Sequence, residues 1–170
     1  LNSRNAFERF VKQGIYKLVS PQNFELPSYD FSGLIKKYSP EIVWIIYVGL
    51  LDDTSNLPLT RTESKIVEDF RDLKGFVPKS DFEIYKKFQD LRPETIIMYS
   101  VISLEIAEKY LENLRGIRLE INGSNLQNLG IKPCEKYQKC FDFILEKKIL
   151  NPAMNLYDEL ELAKVFFNIV

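Results

Sequence analysis

Histidine is absent from all 170 residues. Its absence removes the commonest metal ligand and the side chain most often used as a general base near neutral pH. A phosphohydrolase centre built on a His-Asp pair is excluded with it, and the adjacent Asp52-Asp53 does not replace one. Cysteine is scarce, with only Cys134 and Cys140. Two thiols and no histidine cannot complete the ligand set of a structural zinc. Six residues apart on what reads as one helix, they are separated by about 9 Å of rise, beyond disulfide reach. Reduced thiols point to a cytoplasmic location. Long apolar runs are missing too: the longest, residues 42–51, falls well short of the roughly 20 residues that span a bilayer. No membrane partner is expected, and no signal-peptide pattern is read. The chain opens on Leu1 rather than Met, so it reads as a piece of a longer polypeptide.

Excess charge is also lacking. With 23 basic and 24 acidic residues the formal net charge is −1. An autonomous, strongly basic nucleic-acid binder does not look like this, so any such surface must come from local arrangement. Phosphate-cradling loops, nucleophile elbows and dinucleotide fingerprints are absent as well.

What is present is helical periodicity. A composition 45% apolar and 28% charged describes one domain or two small ones, with roughly 70% of the unfolded surface buried. Phe7, Phe10, Val11, Ile15 and Leu18 lie at helical spacing and predict a helix over 3–18, interrupted near its end by Gly14. A short helix is expected from Asp30 or Ser32 to Tyr38. Another, over 40–51, is apolar nearly all round and should be the central element, with Trp44 in the core. Thr60 or Thr62 caps a helix to about Leu73, and the Ser80-Asp-Phe-Glu83 capping box opens one to about Asp90. Further helices are read over 93–100, 104–114, 136–150 and 156–167, the last capped by Asn155. The sum is an all-α fold, a multi-helix orthogonal array of about nine short helices with no significant sheet. Residues 1–114 form a body-like region and 115–170 a tail-like one, or the two are continuous.

The densest turn chemistry lies in residues 115–139. Asn122-Gly123 is a strong turn signal, Ser124 stands where an N-cap would, and Gly130 sits where helices end left-handed. Lys132-Pro133 then suits the first turn of a longer helix. Two helix N-termini and five basic side chains (Arg115, Arg118, Lys132, Lys136 and Lys139) fall within these 25 residues, a pattern that suits an anion. Read plainly, the same residues are a turn, a cap and a solvated face.

This stretch also carries a resemblance. Ile121-Asn-Gly-Ser-Asn-Leu-Gln-Asn-Leu-Gly-Ile-Lys-Pro133, an amphipathic helix, and Leu156-Tyr-Asp-Glu-Leu-Glu-Leu-Ala-Lys164 together resemble the C-terminal region of bacterial tRNA nucleotidyltransferases. These are the CCA-adding and A-adding enzymes of the poly(A)-polymerase class. In that family the motif reads Ile-x-Gly-x-Asp-Leu-x-x-Leu-Gly-x-Lys-Pro-Gly, and an acidic segment ending Leu-x-Leu-Ala closes the chain. The match is good over about 45 residues and rests on spacing alone upstream. Asn125 stands where the family has Asp, and Cys134 where it has Gly, so the start of the helix after Pro133 is expected to differ. The family's base-reading Glu-Asp-x-x-Arg motif is one residue longer than Glu68-Asp-Phe-Arg71, which reads better as a solvated helix face.

The resemblance implies the body and tail of such an enzyme, holding the elbow and acceptor arm of tRNA through phosphates and 2′-hydroxyls without reading bases. Arg115, Arg118, Asn122, Gly123, Ser124, Lys132, Lys136 and Lys139 are its candidate RNA-binding residues. The partners implied are tRNA and the catalytic head and neck of the same polypeptide. The head would hold Mg²⁺ with ATP or CTP; its paired carboxylates and Gly-Ser turn have no counterpart here. No cofactor is therefore expected in this chain, which should be inert alone. The alternative is a non-catalytic helical interaction or scaffold domain.

Overall fold

Five of the ten helix starts fall on polar side-chain caps. The computed structural model describes residues 3–169, among which there are ten α-helices and no strand. Helices α1 (Ser3–Lys12), α2 (Ser32–Tyr38) and α3 (Val43–Val48) lead the chain. Thr60 caps α4 (Arg61–Asp72) with a full box: its Oγ1 accepts from the Glu63 N–H, and the Glu63 carboxylate accepts from the Thr60 N–H at 2.7 Å. Ser80 caps α5 (Asp81–Phe88) from one side only, because Glu83 reaches back to the Lys79 N–H instead. Next come α6 (Pro93–Tyr99) and α7 (Leu104–Lys109), followed by α8 (Gly123–Asn128), α9 (Lys136–Leu150) and α10 (Leu156–Phe167). Asn155 caps the last with a reciprocal pair involving Asp158.

Three expectations need correcting. The helix read over 3–18 stops at Lys12, since Gly14 takes a left-handed φ of 70° and a single 3₁₀ turn follows. That turn re-aims the side chains, so Tyr16 is buried while Ile15 and Leu18 face solvent. The segment read over 104–114 is also not one regular helix. After Lys109 it widens into a π turn, Tyr110–Leu114, closed by the Arg115 N–H bonding Tyr110 C=O at 2.8 Å. Lastly, the most enclosed element is α6 rather than α3. Every residue from Glu94 to Tyr99 is buried, whereas α3 is six residues long and leaves Trp44 42% exposed. The core takes only one side of α3, through Ile45, Ile46 and Tyr47.

Glu94 is what obscured α6 in the sequence. Fully buried, its carboxylate accepts from the Ile42 N–H at 3.0 Å, just ahead of α3, and from Arg92 at 3.3 Å. Burial alone would raise its pKa; the Ile42 N–H, its own N–H and the Arg92 guanidinium hold it below the ordinary value.

Where α3 ends, Gly49 allows a close approach. A Cβ there would lie 2.5 Å from Met98 Cε and 3.1 Å from Val67 Cγ2, both in fully packed surroundings. Gly49→Ala is expected to destabilise the fold by about 1–3 kcal/mol through overpacking. Urea unfolding checks this, and an unchanged midpoint would show that the neighbours yield.

Two apolar clusters result. The larger joins α1 to α7, centred on Phe88, whose ring meets those of Tyr99 at 5.2 Å and Tyr110 at 5.4 Å. The smaller holds Ile121, Leu126, Cys140, Ile144 and Ala163. Helix α9 belongs to both: Cys140 and Ile144 enter the small cluster, Leu145 and Ile149 the large one. Ile117 lies in the large cluster as well, and Tyr85 Oη donates to its carbonyl at 2.8 Å. Residues on both sides of position 115 therefore share one core. No helix among the described residues is long and apolar enough to cross a membrane.

Candidate nucleic-acid interface

Residues 121–133 fold as a capped single-helix unit. Asn122, rather than Ser124, is the N-cap of α8: its Oδ1 accepts from the Ser124 N–H at 2.9 Å and the Asn125 N–H at 3.2 Å. Asn125 Oδ1 returns the favour, accepting from the Asn122 N–H at 2.9 Å. The carboxamide at 125 thus performs the reciprocal half of a capping box without a charge. At the other end, the Gly130 N–H bonds Gln127 C=O and the Ile131 N–H bonds Leu126 C=O, with Gly130 left-handed at φ 81°. This is a Schellman closure, and Ile131 packs against the cluster that holds Leu126.

These bonds change the chemistry read from sequence. The N–H groups of Ser124, Asn125 and Leu126 are committed inside the unit, so they do not form an anion cradle. Pro133 lies three residues ahead of α9, which begins at Lys136 behind a Glu135 that makes no side-chain cap. Cys134 has no positive φ and precedes the helix, so the two cysteines do not share it.

The basic residues divide into groups. Lys132, Lys136 and Lys139 are exposed and hold no carboxylate among the described residues, as are Asn122 and Ser124 exposed beside them, with Gly123 half-buried. Arg118 is exposed but engaged: its Nη1 donates to the carbonyls of Arg115 at 2.8 Å and Ile117 at 2.7 Å. Arg115 lines a polar cleft of about 420 Å³ with Tyr38, Glu41, Asp90, Arg92 and Glu94, to which no residue of 116–139 contributes. Of the five cations, then, the structure leaves three in the unit around α8 and the start of α9, free to meet a ligand.

What holds that unit in place was not foreseen. Glu159, fully buried on α10, accepts from the Glu120 N–H at 2.9 Å and the Ile121 N–H at 2.7 Å. Its other oxygen takes the buried Lys148 ammonium from α9. Burial works against the Lys148 charge, but Glu159 and then Glu120 raise its pKa above the ordinary lysine value. A signal did exist in the sequence. Lys148 follows Cys140 and Ile144 at four-residue spacing, and Glu159 precedes Ala163 by four, so both fall on inward stripes of consecutive helices.

The thiols differ in kind. Cys134 is exposed, while Cys140 is buried and its pKa is pushed up to about 11 by loss of water. At pH 8 a thiol reagent is expected to titrate one cysteine per native chain and the second only after unfolding. Two fast thiols in the native state would contradict this packing.

Asp53 Oδ1 accepts from the Ser55 N–H at 2.8 Å, and Asp52 lies 4.0 Å from the Lys74 ammonium, so the adjacent pair is used separately. Arg71 of the Glu68–Arg71 segment donates to Thr54 Oγ1 at 3.0 Å, tying α4 to the preceding turn. Among the described residues no three His, Cys, Asp or Glu side chains gather where they could hold a metal ion.

Elsewhere the surface carries an apolar groove of about 470 Å³ between α1 and α3, lined by Ala6, Phe10, Trp44, Tyr47 and Leu57. Compared with protein-family models, with curated proteins and with solved structures, the chain gives no match.

Proposed function

We propose that this chain is the tRNA-gripping body and tail of a tRNA nucleotidyltransferase. It would hold the elbow and acceptor arm while a head on the same polypeptide, carrying Mg²⁺ with ATP or CTP, adds A or CCA to the 3′ end. The observation that carries this reading is the unit at 121–139. The residues of the resemblance form a doubly capped α8, held by Glu159, and present Lys132, Lys136 and Lys139, none of which holds a carboxylate among the described residues although Glu135 is exposed between them. Lysine is a point charge without the planar fork that reads a base edge, so such a surface suits phosphates. A cytoplasmic site of action is part of the same proposal, and Cys134 and Cys140 are both free thiols. With the catalytic carboxylates on the head, the chain alone is inert.

A gel-shift series with full-length tRNA across 50–200 mM salt tests the reading. Binding that weakens linearly in log–log form, with a slope of about −0.9 for each duplex phosphate neutralised, supports it. No shift at 50 mM salt overturns it for the isolated chain.

A second reading is favoured by the α1–α3 groove. An exposed tryptophan beside Phe10 and Tyr47 suits a helical interaction or scaffold module. If Trp44→Ala left tRNA binding intact while abolishing an association of the chain with protein, the scaffold role would stand.

A further inference from the structure

Helix α9 carries its cations in a line that the sequence motif does not reach. Positions 136, 139, 143, 147 and 150 recur at helical spacing along one side, turned away from the buried Leu145 and Ile149. Lys136, Lys139 and Lys147 on that side are exposed and hold no carboxylate among the described residues. Lys17, Lys36, Lys79 and Lys87 also hold none among the described residues, but they are scattered over separate segments, whereas α9 gathers three on one side. Between the cations stands Phe143, half-buried against Phe166, and the Lys147 ammonium rests 5.7 Å from its ring centre. A cation–π contact keeps that ammonium on the outer line. Glu146, exposed on the same side, is the neighbouring carboxylate.

We infer that this outer line of α9 is a phosphate-tracking ridge, in which Lys147 extends the contact of Lys136 and Lys139 along an RNA backbone. The inference rests on the tRNA reading above and adds to it a residue and a direction. From Lys136 to Lys147 is 11 residues, about 16 Å of helix axis. That length meets several phosphates, since duplex charges recur more closely than every 4 Å. The helix is anchored from behind by both apolar clusters, and from the side by Lys86 bonding Asp142 at 3.0 Å, so the ridge is rigid and meets its partner without reordering. Point charges along a line track a backbone and leave the bases unread, so the ridge contributes affinity and no sequence preference. Glu146 opposes it.

The test uses the full chain with tRNA and two neutralising variants of opposite sign, Lys147→Gln and Glu146→Gln. Neither residue holds a partner carboxylate or ammonium among the described residues, so folding is unaffected, which circular dichroism verifies. Lys147→Gln is expected to weaken binding and to flatten the salt slope by about 0.9. The loss of affinity between 50 and 200 mM salt then shrinks about threefold. Glu146→Gln is expected to tighten binding about two- to threefold at 50 mM salt by the same electrostatics. If both variants match the wild type while Lys132/Lys136→Glu abolishes the shift, the ridge is wrong and the tRNA reading survives. If wild-type chain gives no shift at all, the reading fails and the ridge falls with it.

Discussion

Glu159→Ala is expected to cost about 3–5 kcal/mol, a large share of the stability of a domain this size. The residue is fully buried and satisfies three donors at once: the Lys148 ammonium and the N–H groups of Glu120 and Ile121. Truncation leaves a buried cation without a counter-charge and two amides without acceptors, one of them itself buried. The double variant Lys148→Met/Glu159→Gln relieves both liabilities. It removes both charges but keeps an amide oxygen for the two N–H groups, and its expected cost is about 1–2 kcal/mol. Chemical denaturation of both variants decides. Equal costs would show that neither the stranded ammonium nor the two unpaired amides dominates the loss. The loss should also appear locally. Residues 117–122 carry no regular structure of their own, so their amides are expected to exchange faster in Glu159→Ala than those of α4 or α6.

Reversing charge at Lys132 and Lys136 should abolish tRNA binding in a shift assay, a drop of roughly 100-fold or more near 0.1 M salt. Each substitution removes a phosphate contact and adds a repulsion at the same point. Both side chains are exposed and hold no carboxylate, so the melting temperature is expected to move by no more than exposed substitutions usually do, about 0.5 kcal/mol in stability. That combination separates a binding surface from a merely solvated one. Undiminished binding by a folded Lys132/Lys136→Glu protein would take the loop and the start of α9 out of the interface. The remaining basic residues of the tail with a free hand would then be Lys139 and Lys147.

Local chemistry explains which features were legible beforehand. Caps are decided by the reach of a short side chain to N–H groups two or three residues on. Ser80 and Asn155 could therefore be placed as caps without knowing what the helices pack against, while Thr60 was one of two candidates beside Thr62. The end of α8 at Gly130 was equally local, because only a left-handed residue closes a Schellman pair. At the start of α8 two cap-forming residues, Asn122 and Ser124, competed. The carboxamide won because its oxygen reaches two N–H groups at once. Trp44 and α6 were misjudged for another reason. Periodicity counts apolar residues but does not know which face a neighbour covers, so an all-apolar α3 looked central while α6 was masked by Glu94.

The candidate interface divides along the same line. Its lysines and its α8 turn were visible as residue types in order. That Arg115 would line a cleft apart from them, and that Arg118 would spend its guanidinium on carbonyls, followed from how the chain folds back on itself.

Read alone, the order of residues settled an all-helical fold and the helix starts capped by Ser80 and Asn155. Each depends on composition or on contacts within one turn of backbone. Only the tertiary structure decided which of the cations stay free, which helix is enclosed, and that Lys148 and Glu159 clamp the tail from within. Those outcomes hinge on removing charges from water, and whether water is removed is a property of how distant segments meet.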